Sequence, residues 1–250
     1  MTRRRFYVPR DSIRGGIAAL PPGEAHHLRD VLRVGTGDTV EIFDDAGIGY
    51  TGEVELRESE VFVRNLERIP SQKSPFRLTL AAALLKSANF EWILQKATEL
   101  GVDEIIPLKT RLSDIRIPAE KIEARSERWQ RIIREAAKQC RRTAFPALRK
   151  PLDFSCLLAA EEFSACSKIL FYEKAAEPFQ SESIESDKIL VCIGPEGGWD
   201  PAEVEKAEEA GYGIFGLGPW TLRAETAAIA AISIVQHQLQ LKNINHETHE

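Results

Sequence analysis

The chain has 250 residues, of which 33 are Lys or Arg, 38 are Asp or Glu and 43% are hydrophobic. This composition is typical of one or two globular domains with buried cores, and no apolar stretch is long enough to span a bilayer. The basic N-terminus lacks the apolar segment of a secretory signal, and the four cysteines show neither paired nor zinc-binding spacing. We therefore expect a cytoplasmic protein with reduced thiols, no membrane segment and no metal site.

The formal net charge of −5 hides a strong local asymmetry. Residues 109–150 contain thirteen Lys and Arg against five Asp and Glu, and residues 1–14 contain five against one. Residues 151–250, in contrast, contain six against seventeen. This separation indicates a basic face whose usual partner is a polyanion such as RNA, although an ordinary solvated helix surface is the alternative.

The first seventy residues have the pattern of a small β domain. Strands are predicted at residues 5–8 (RFYV), within the alternating stretch 37–56, and at residues 60–69 (EVFVRNLERI). Residues 23–34 (GEAHHLRDVLRV) predict a short helix that ends before a glycine. The polar, proline-bounded segment 71–75 (SQKSP) is typical of a linker.

The pattern changes after this linker. Short apolar runs (LTLAAALL, EIIPL, KILFYE, KILVCIG and GIFGLG) are each bounded by turn residues or charges. Helices are predicted between most of them, at residues 89–101, 119–142 and 200–211. Buried parallel strands that alternate with helices predict an α/β domain, with its ligand pocket at the carboxyl ends of the strands.

Two glycine-rich loops follow strands of this predicted sheet. Residues 193–203 (IGPEGGWDPAE) run from a strand into a helix with Asp200 as N-cap, Pro201 at its first position and Glu203 in a capping box. Glycines let the backbone approach a ligand closely, although a tight structural turn is the alternative. The second loop begins the stretch LGPWTLRAETAAIAA, residues 217–231.

Other nucleotide and catalytic motifs are excluded. The G-x-G-x-x-G match at residues 211–216 (GYGIFG) follows a helix and opens a strand, the reverse of a dinucleotide-binding loop. Neither loop has a phosphate-binding GKS or GKT, and no Ser, Cys or His is placed as a nucleophile beside a base. With residues 171–173 (FYE) as a third wall, the pocket is expected to hold its ligand mainly through backbone groups.

The two loops resemble those of the RsmE family, the bacterial 16S rRNA (uridine-N3)-methyltransferases of the SPOUT class. RFYV, HHLRDVLRV, QKATELGVDEIIPL and EAAKQCRRTAFP are similar to the same family, so the resemblance runs nearly end to end. It implies a PUA-like, RNA-binding β-barrel at residues 1–72. It also implies a SPOUT methyltransferase domain at residues 73–250, a parallel α/β sheet with a C-terminal trefoil knot. Two departures, Trp220 and Leu112, lie on the expected substrate side.

The resemblance further implies a homodimer that binds S-adenosyl-L-methionine in the knot and methylates N3 of a specific uridine in 16S rRNA, either as naked RNA or in the small ribosomal subunit. Arg223 would stabilise the negative charge that spreads over O2 and O4 of the uracil, held in place by Glu225. Glu225 is the preferred general base, ahead of Glu196 and water. A plain surface pair between Arg223 and Glu225 is the alternative.

The resemblance also implies which residues surround the base and the cofactor. Trp199 or Trp220 would stack on the flipped uracil, unless they belong to an interface. The expected cofactor-binding residues are Phe171, Tyr172, Ile193, Gly194, Pro195, Glu196, Gly197, Gly198, Leu217, Gly218, Pro219, Leu222, Thr226 and Ala227. Basic residues of the predicted helix at 119–142 are spaced for a single stripe opposite its apolar face, and together with arginines of the small β domain they would contact phosphates. The expected RNA-binding residues are Arg5, Arg10, Arg29, Arg33, Arg131, Arg134, Lys138 and Arg142.

Two other functions fit the sequence. One is a SPOUT methyltransferase that acts on another RNA or another base atom. The other is a non-catalytic ribosome-assembly factor that binds RNA, which the glycine-loop pocket disfavours because a pure RNA binder has no use for it.

Overall fold

The computed structural model describes residues 4–58, 60–70 and 74–247, with side chains as far as Lys242. Backbone contacts divide the chain into two units, Met1–Lys73 with Arg134–Phe145, and Ser74–Ile133 with Pro146–Glu250. The segment Arg134–Phe145, which the sequence analysis assigns to the second domain, therefore packs with the first unit. Its Phe145 ring explains why, since it lies edge-on to the rings of Tyr7 and Phe43 at centroid distances of 5.6 and 5.5 Å.

The first unit contains a six-stranded sheet that curls into a half-barrel, consistent with a PUA-like domain. One strand pair is parallel and the others are antiparallel. In β4 and in the first half of β6, buried residues alternate with more exposed ones, so the alternating pattern of the sequence marks the core face there. The strands are β1 (Arg5–Tyr7), β2 (Ile13–Arg14), β3 (Ile17–Ala19), β4 (Thr39–Phe43), β5 (Gly49–Arg57) and β6 (Glu60–Ile69), in the order β1-β4-β5-β6-β3-β2.

The helix predicted at residues 23–34 is shorter than expected. It consists of α1 (Pro22–His26) and a π turn over His27–Val31, in which the N–H of Leu32 donates to the carbonyl of His27 at 2.9 Å. Leu28 is buried in the core of the half-barrel.

The second unit is built on a seven-stranded sheet in which every pair of neighbours is parallel, which confirms the predicted α/β class. Five of its strands are the apolar runs of the sequence. The strands are β7 (Arg77–Ala83), β8 (Glu104–Lys109), β9 (Ala147–Leu148), β10 (Leu152–Asp153), β11 (Ser167–Phe171), β12 (Lys188–Ile193) and β13 (Gly213–Phe215). Their order is β10-β8-β7-β12-β11-β13, with β9 beside β8.

Five helices accompany this sheet: α2 (Ser87–Glu99), α3 (Ala119–Gln139), α4 (Phe154–Leu158), α5 (Pro201–Glu209) and α6 (Ala224–Glu247). Helices α2 and α6 pack together, and the Gln236 side-chain amide donates to the carbonyl of Leu100 at 3.0 Å. Within α2 the structure buries Ile93 and leaves Trp92 exposed. Over the described ranges, no helix is long and apolar enough to cross a membrane.

The strand order explains where the glycine-rich loops meet. The chain runs from β11 to β12 and then through α5 to β13, yet β11 lies between β12 and β13 in the sheet. All three strands are parallel, so their carboxyl ends lie side by side at one edge. The loops after β12 and β13 and the residues that end β11 are thereby brought together, where ligands of open α/β sheets bind.

Candidate active site

A cavity of about 220 Å³ opens at the carboxyl ends of β11, β12 and β13. Of the fourteen predicted cofactor-binding residues, the structure brings twelve together on this cavity, and only Pro219 and Thr226 do not line it. Four further residues complete the wall: Glu173, Trp199, Trp220 and Thr221. Each lies within or beside a loop that the sequence singles out. Glu173, for example, is the last residue of the FYE segment at positions 171–173.

Gly194 allows the turn after β12 to pack against a tryptophan. A Cβ at position 194 would lie 2.8 Å from Nε1 of Trp199, closer than real Cβ atoms approach. That Nε1 donates a hydrogen bond to the carbonyl of Phe171 at 3.0 Å, and the indole packs on the ring of Phe154 at a centroid distance of 4.7 Å. Trp199 is only 2% exposed. It therefore braces the turn and is not placed to stack on a flipped base, whereas Trp220 is 82% exposed.

Gly198 gives the same turn its second close approach. Its φ of +75° lies in the left-handed region, and its N–H donates to the carbonyl of Pro195 at 3.0 Å. A Cβ at position 198 would lie 2.6 Å from Oε1 of Glu173. The glycine thus leaves room for a carboxylate at the cavity wall.

The loop after β8 is tied to the N-terminus of α5. The backbone N–H of Arg111 donates to Oε1 of Glu203 at 3.0 Å, and Nε of Arg111 lies 3.4 Å from Oδ2 of Asp200. Asp200 also caps α5, since its side chain accepts from the N–H of Ala202 at 2.9 Å. Burial raises the pKa of the Glu203 carboxyl, while the N–H groups of Arg111 and Asp200 act in the opposite direction.

A second cavity adjoins the first and shares Glu196, Thr221 and Leu222 with it. It is lined in addition by Asn89, Arg223, Ala224 and Glu225. Sequence reasoning missed Asn89, which no motif marks. Its side-chain amide donates to Oε1 of Glu196 at 3.1 Å, and Nζ of Lys86 lies 4.0 Å from the other carboxylate oxygen.

Arg223 and Glu225 both line the second cavity, but they do not hold each other. No ion pair joins them in the described part of the chain, so the expected clamp is wrong. The carbonyl of Arg223 accepts from the N–H of Ala227 at 2.8 Å, which makes Arg223 the residue just before α6. Residues two apart at a helix start do not face each other. Arg223 is exposed, and Oε2 of Glu225 is buried with no hydrogen-bond partner among the described atoms.

Two of the predicted RNA-binding residues, Arg5 and Lys138, have their charged groups paired with carboxylates of the first unit. The Arg5 side chain is 5% exposed. Its Nε lies 3.4 Å from Oε2 of Glu41, and its Nη2 donates to the carbonyl of Arg142 at 3.2 Å. Burial lowers the pKa of Arg5, although Glu41 raises it. Lys138 has ion pairs with Glu24 and with Glu135, and its side chain is only 14% exposed.

The other predicted RNA-binding residues differ in how available they are. Arg29 is half-buried and pairs with Asp30 at 3.1 Å. Arg134 is half-buried, and its guanidinium lies over the ring of Tyr7 at 5.5 Å. Arg142 is half-buried as well. The exposed members are Arg10 and Arg33 in the first unit and Arg131 in the second.

Two family models match the chain. Residues 72–236 match a model described as an RNA methyltransferase domain, which is more than half of the chain. Residues 20–63 match a model described as an RNA methyltransferase PUA domain. The two matches lie on the parallel sheet that forms the cavity and on the half-barrel, respectively.

Known proteins resemble the chain over nearly its full length. The ribosomal RNA small subunit methyltransferase E of Bacillus subtilis is 30% identical over 229 residues, 87% of this chain and 89% of that protein. Its counterpart in Aquifex aeolicus is 30% identical and covers 90% of this chain and 96% of its own length. The Neisseria gonorrhoeae ribosomal RNA small subunit methyltransferase E, solved bound to S-adenosyl methionine, is 29% identical with a TM-score of 0.84, covering 94% of this chain and 98% of that one.

Proposed function

Because the chain belongs to the RNA methyltransferase family that includes the ribosomal RNA small subunit methyltransferase E proteins, we propose that it methylates N3 of a specific uridine in 16S rRNA with S-adenosylmethionine as donor. The observation that carries the proposal is the pair of adjoining cavities. One is shaped by glycine turns at three parallel strand ends, and the other presents an arginine and two carboxylates.

The residues of the first cavity fit S-adenosylmethionine. Gly194 and Gly198 line this cavity, and a Cβ at either position would collide with Trp199 or Glu173, so the turn can present its backbone at the cavity wall only with glycine there. Phe171, Ile193 and Leu217 give it apolar walls for the adenine. When bound, the cofactor supplies a sulfonium methyl donor that needs no protein nucleophile. The protein therefore has to align donor and acceptor, which is a large source of rate by itself.

The residues of the second cavity fit the acceptor base. As the N3 proton leaves, negative charge spreads over O2 and O4 of the uracil, and the guanidinium of Arg223 stabilises that charge by about 3 to 4 kcal/mol. Glu225 takes the proton, because its buried Oε2 has no hydrogen-bond partner among the described atoms. The exposed indole of Trp220 lines the adjoining cavity and stacks on the extruded base.

The test is methyl transfer to unmodified small subunits and to naked 16S rRNA with isotopically labelled cofactor, followed by mass spectrometry of the nucleosides. The wild type should yield labelled 3-methyluridine. Arg223→Ala and Arg223→Lys should lower kcat by about 10² to 10³, while the Kd of the cofactor changes little. Near-normal turnover of Arg223→Ala would remove the proposed role, and a different labelled nucleoside would replace the proposed base.

RNA reaches the site through exposed basic side chains. We assign phosphate contacts to Arg10 and Arg33 in the first unit and to Arg131 in the second, which are all exposed. Arg5 and Lys138 instead stabilise the first unit, because their charged groups have partners within it. Whether the substrate is naked RNA or the assembled subunit is decided by the labelling experiment.

We further propose that the protein is a homodimer and acts in the cytoplasm. Ile234 and Leu241 are exposed apolar residues seven positions apart on α6, so they lie on one face of that helix, and α2 carries the exposed Trp92. A second copy of the chain would cover such a face. The trefoil knot that the resemblance implies stays a prediction.

A further inference from the structure

The cofactor cavity has an unusual balance of ionisable groups. Among the sixteen residues that line it, two carry carboxylates, Glu173 and Glu196, and none is Lys, Arg or His. S-adenosylmethionine carries a positive sulfonium, whereas its product is a neutral thioether with the same adenosine, ammonium and carboxylate groups. The negative charge of the cavity wall therefore attracts the sulfonium of the donor but has no such charge to attract in the thioether of the product.

The two carboxylates are not equivalent. Glu196 already has a hydrogen bond from Asn89 at 3.1 Å and a nearby Lys86 ammonium at 4.0 Å, which compensate part of its charge. Glu173 forms no ion pair with any residue that the structure describes. It lies against Gly198, whose missing Cβ would come within 2.6 Å of Oε1 of Glu173. Because residue 198 has no side chain, there is room at the cavity wall for the Glu173 carboxylate, which has no ion-pair partner among the described residues.

We propose that Glu173 is a specificity-determining residue that makes the cavity bind the sulfonium donor more tightly than the thioether product. The inference rests on the proposed function, because it assumes S-adenosylmethionine in this cavity. Loss of the methyl group removes the positive charge that Glu173 attracts. The carboxylate therefore favours release of product and entry of fresh donor, without any change of conformation.

The test compares the Kd of S-adenosylmethionine with that of S-adenosylhomocysteine by calorimetry. In Glu173→Gln the preference for the sulfonium, the ratio of the two Kd values, should fall by about twofold to fivefold, the range of a charge interaction at an exposed side chain. Glu173→Asp, which keeps the charge, should retain most of the preference. The matched control is Glu177→Gln, an exposed carboxylate of the same segment that does not line the cavity, and its ratio should equal that of the wild type.

Two further measurements distinguish the proposed charge effect of Glu173 from a general role in ligand binding. The wild-type preference should shrink as ionic strength rises, since salt screens charge attraction. The Ki of S-adenosylhomocysteine as product inhibitor, relative to the KM of the donor, should fall in Glu173→Gln. Equal weakening of both ligands overturns the proposal, because the carboxylate then binds a part they share. An unchanged ratio overturns it too, and a wild type that binds neither ligand refutes the proposed function instead.

Discussion

Gly194 and Trp199 contact each other in the wall of the cavity that we propose for the cofactor. The indole occupies the space where a side chain at position 194 would be, and its Nε1 donates to the carbonyl of Phe171 at 3.0 Å. Phe171 is the last residue of β11 and also lines the cavity. The absence of a side chain at position 194 thus lets the indole join the turn after β12 to the end of β11.

Gly194→Ala should push the indole away and break its hydrogen bond. We expect the free energy of unfolding to fall by about 1 to 3 kcal/mol, as for other overpacked sites. The Kd of S-adenosylmethionine should rise by about tenfold, because a displaced turn no longer reaches the cofactor. Urea unfolding and calorimetry measure the two effects. Gly23→Ala is the control, since nothing lies within 4 Å of a Cβ there. Native affinity in Gly194→Ala would contradict this account.

The sequence predicted the roles of some single residues but not of others. The glycines of both loops were readable because few residue types permit close approach of the backbone. The roles of Arg5 and Lys138 were not readable, because their partners Glu41 and Glu24 are distant or unmarked in the sequence. A guanidinium looks the same in the sequence whether it faces solvent or a carboxylate of its own domain. The sequence also left open whether Trp199 or Trp220 is available to a base, and the structure buries Trp199 and exposes Trp220.

At the scale of elements, the carboxylate of Glu203 joins α5 to the loop after β8. Its Oε1 accepts from the N–H of Arg111, and burial raises its pKa above the ordinary value of 4.5. The folded state therefore binds a proton more readily than the unfolded state does. The resulting stability is fully present below the ordinary pKa and is lost as the pH rises through the raised value.

Glu203→Gln should remove this pH dependence while keeping an oxygen that accepts from Arg111. As the pH rises above 4.5, the free energy of unfolding of the wild type should fall relative to that of the variant. Urea unfolding at several pH values measures the difference. Glu205→Gln, an exposed position of α5, is the control and should follow the wild type. Parallel curves for the wild type and Glu203→Gln would show that burial of this carboxyl has no energetic effect.

The sequence predicted elements well where they are long and apolar. Strands such as β7, β8 and β12 are buried runs of six or seven residues. Two-residue strands such as β9 and β10 carry no period and were missed. The order of the strands could not be predicted from the sequence, because no local sequence pattern determines that β11 lies between β12 and β13. That long-range pairing is what assembles the cavity.

At the scale of the whole molecule, the family predicted from two loops is confirmed, and the proposed dimer is the next property to test. Ile234 is 36% exposed and Leu241 is 43% exposed on the same face of α6. In a twofold dimer each side chain contributes twice, and full burial of one such side chain stabilises by about 1.5 to 3 kcal/mol. A charge at this face would have to be buried without a partner, which is costly.

Ile234→Glu should therefore convert the protein from a dimer to a monomer of 28.0 kDa at micromolar concentration. Sedimentation equilibrium measures the mass, and circular dichroism checks that the helices remain. Gln240→Glu adds the same charge to an exposed position on another face of α6, so it should leave the dimer intact. Residual methyl transfer by the folded monomer would indicate that each copy carries a complete site. A monomeric wild type, or a dimeric Ile234→Glu, would rule out α6 as the dimer interface.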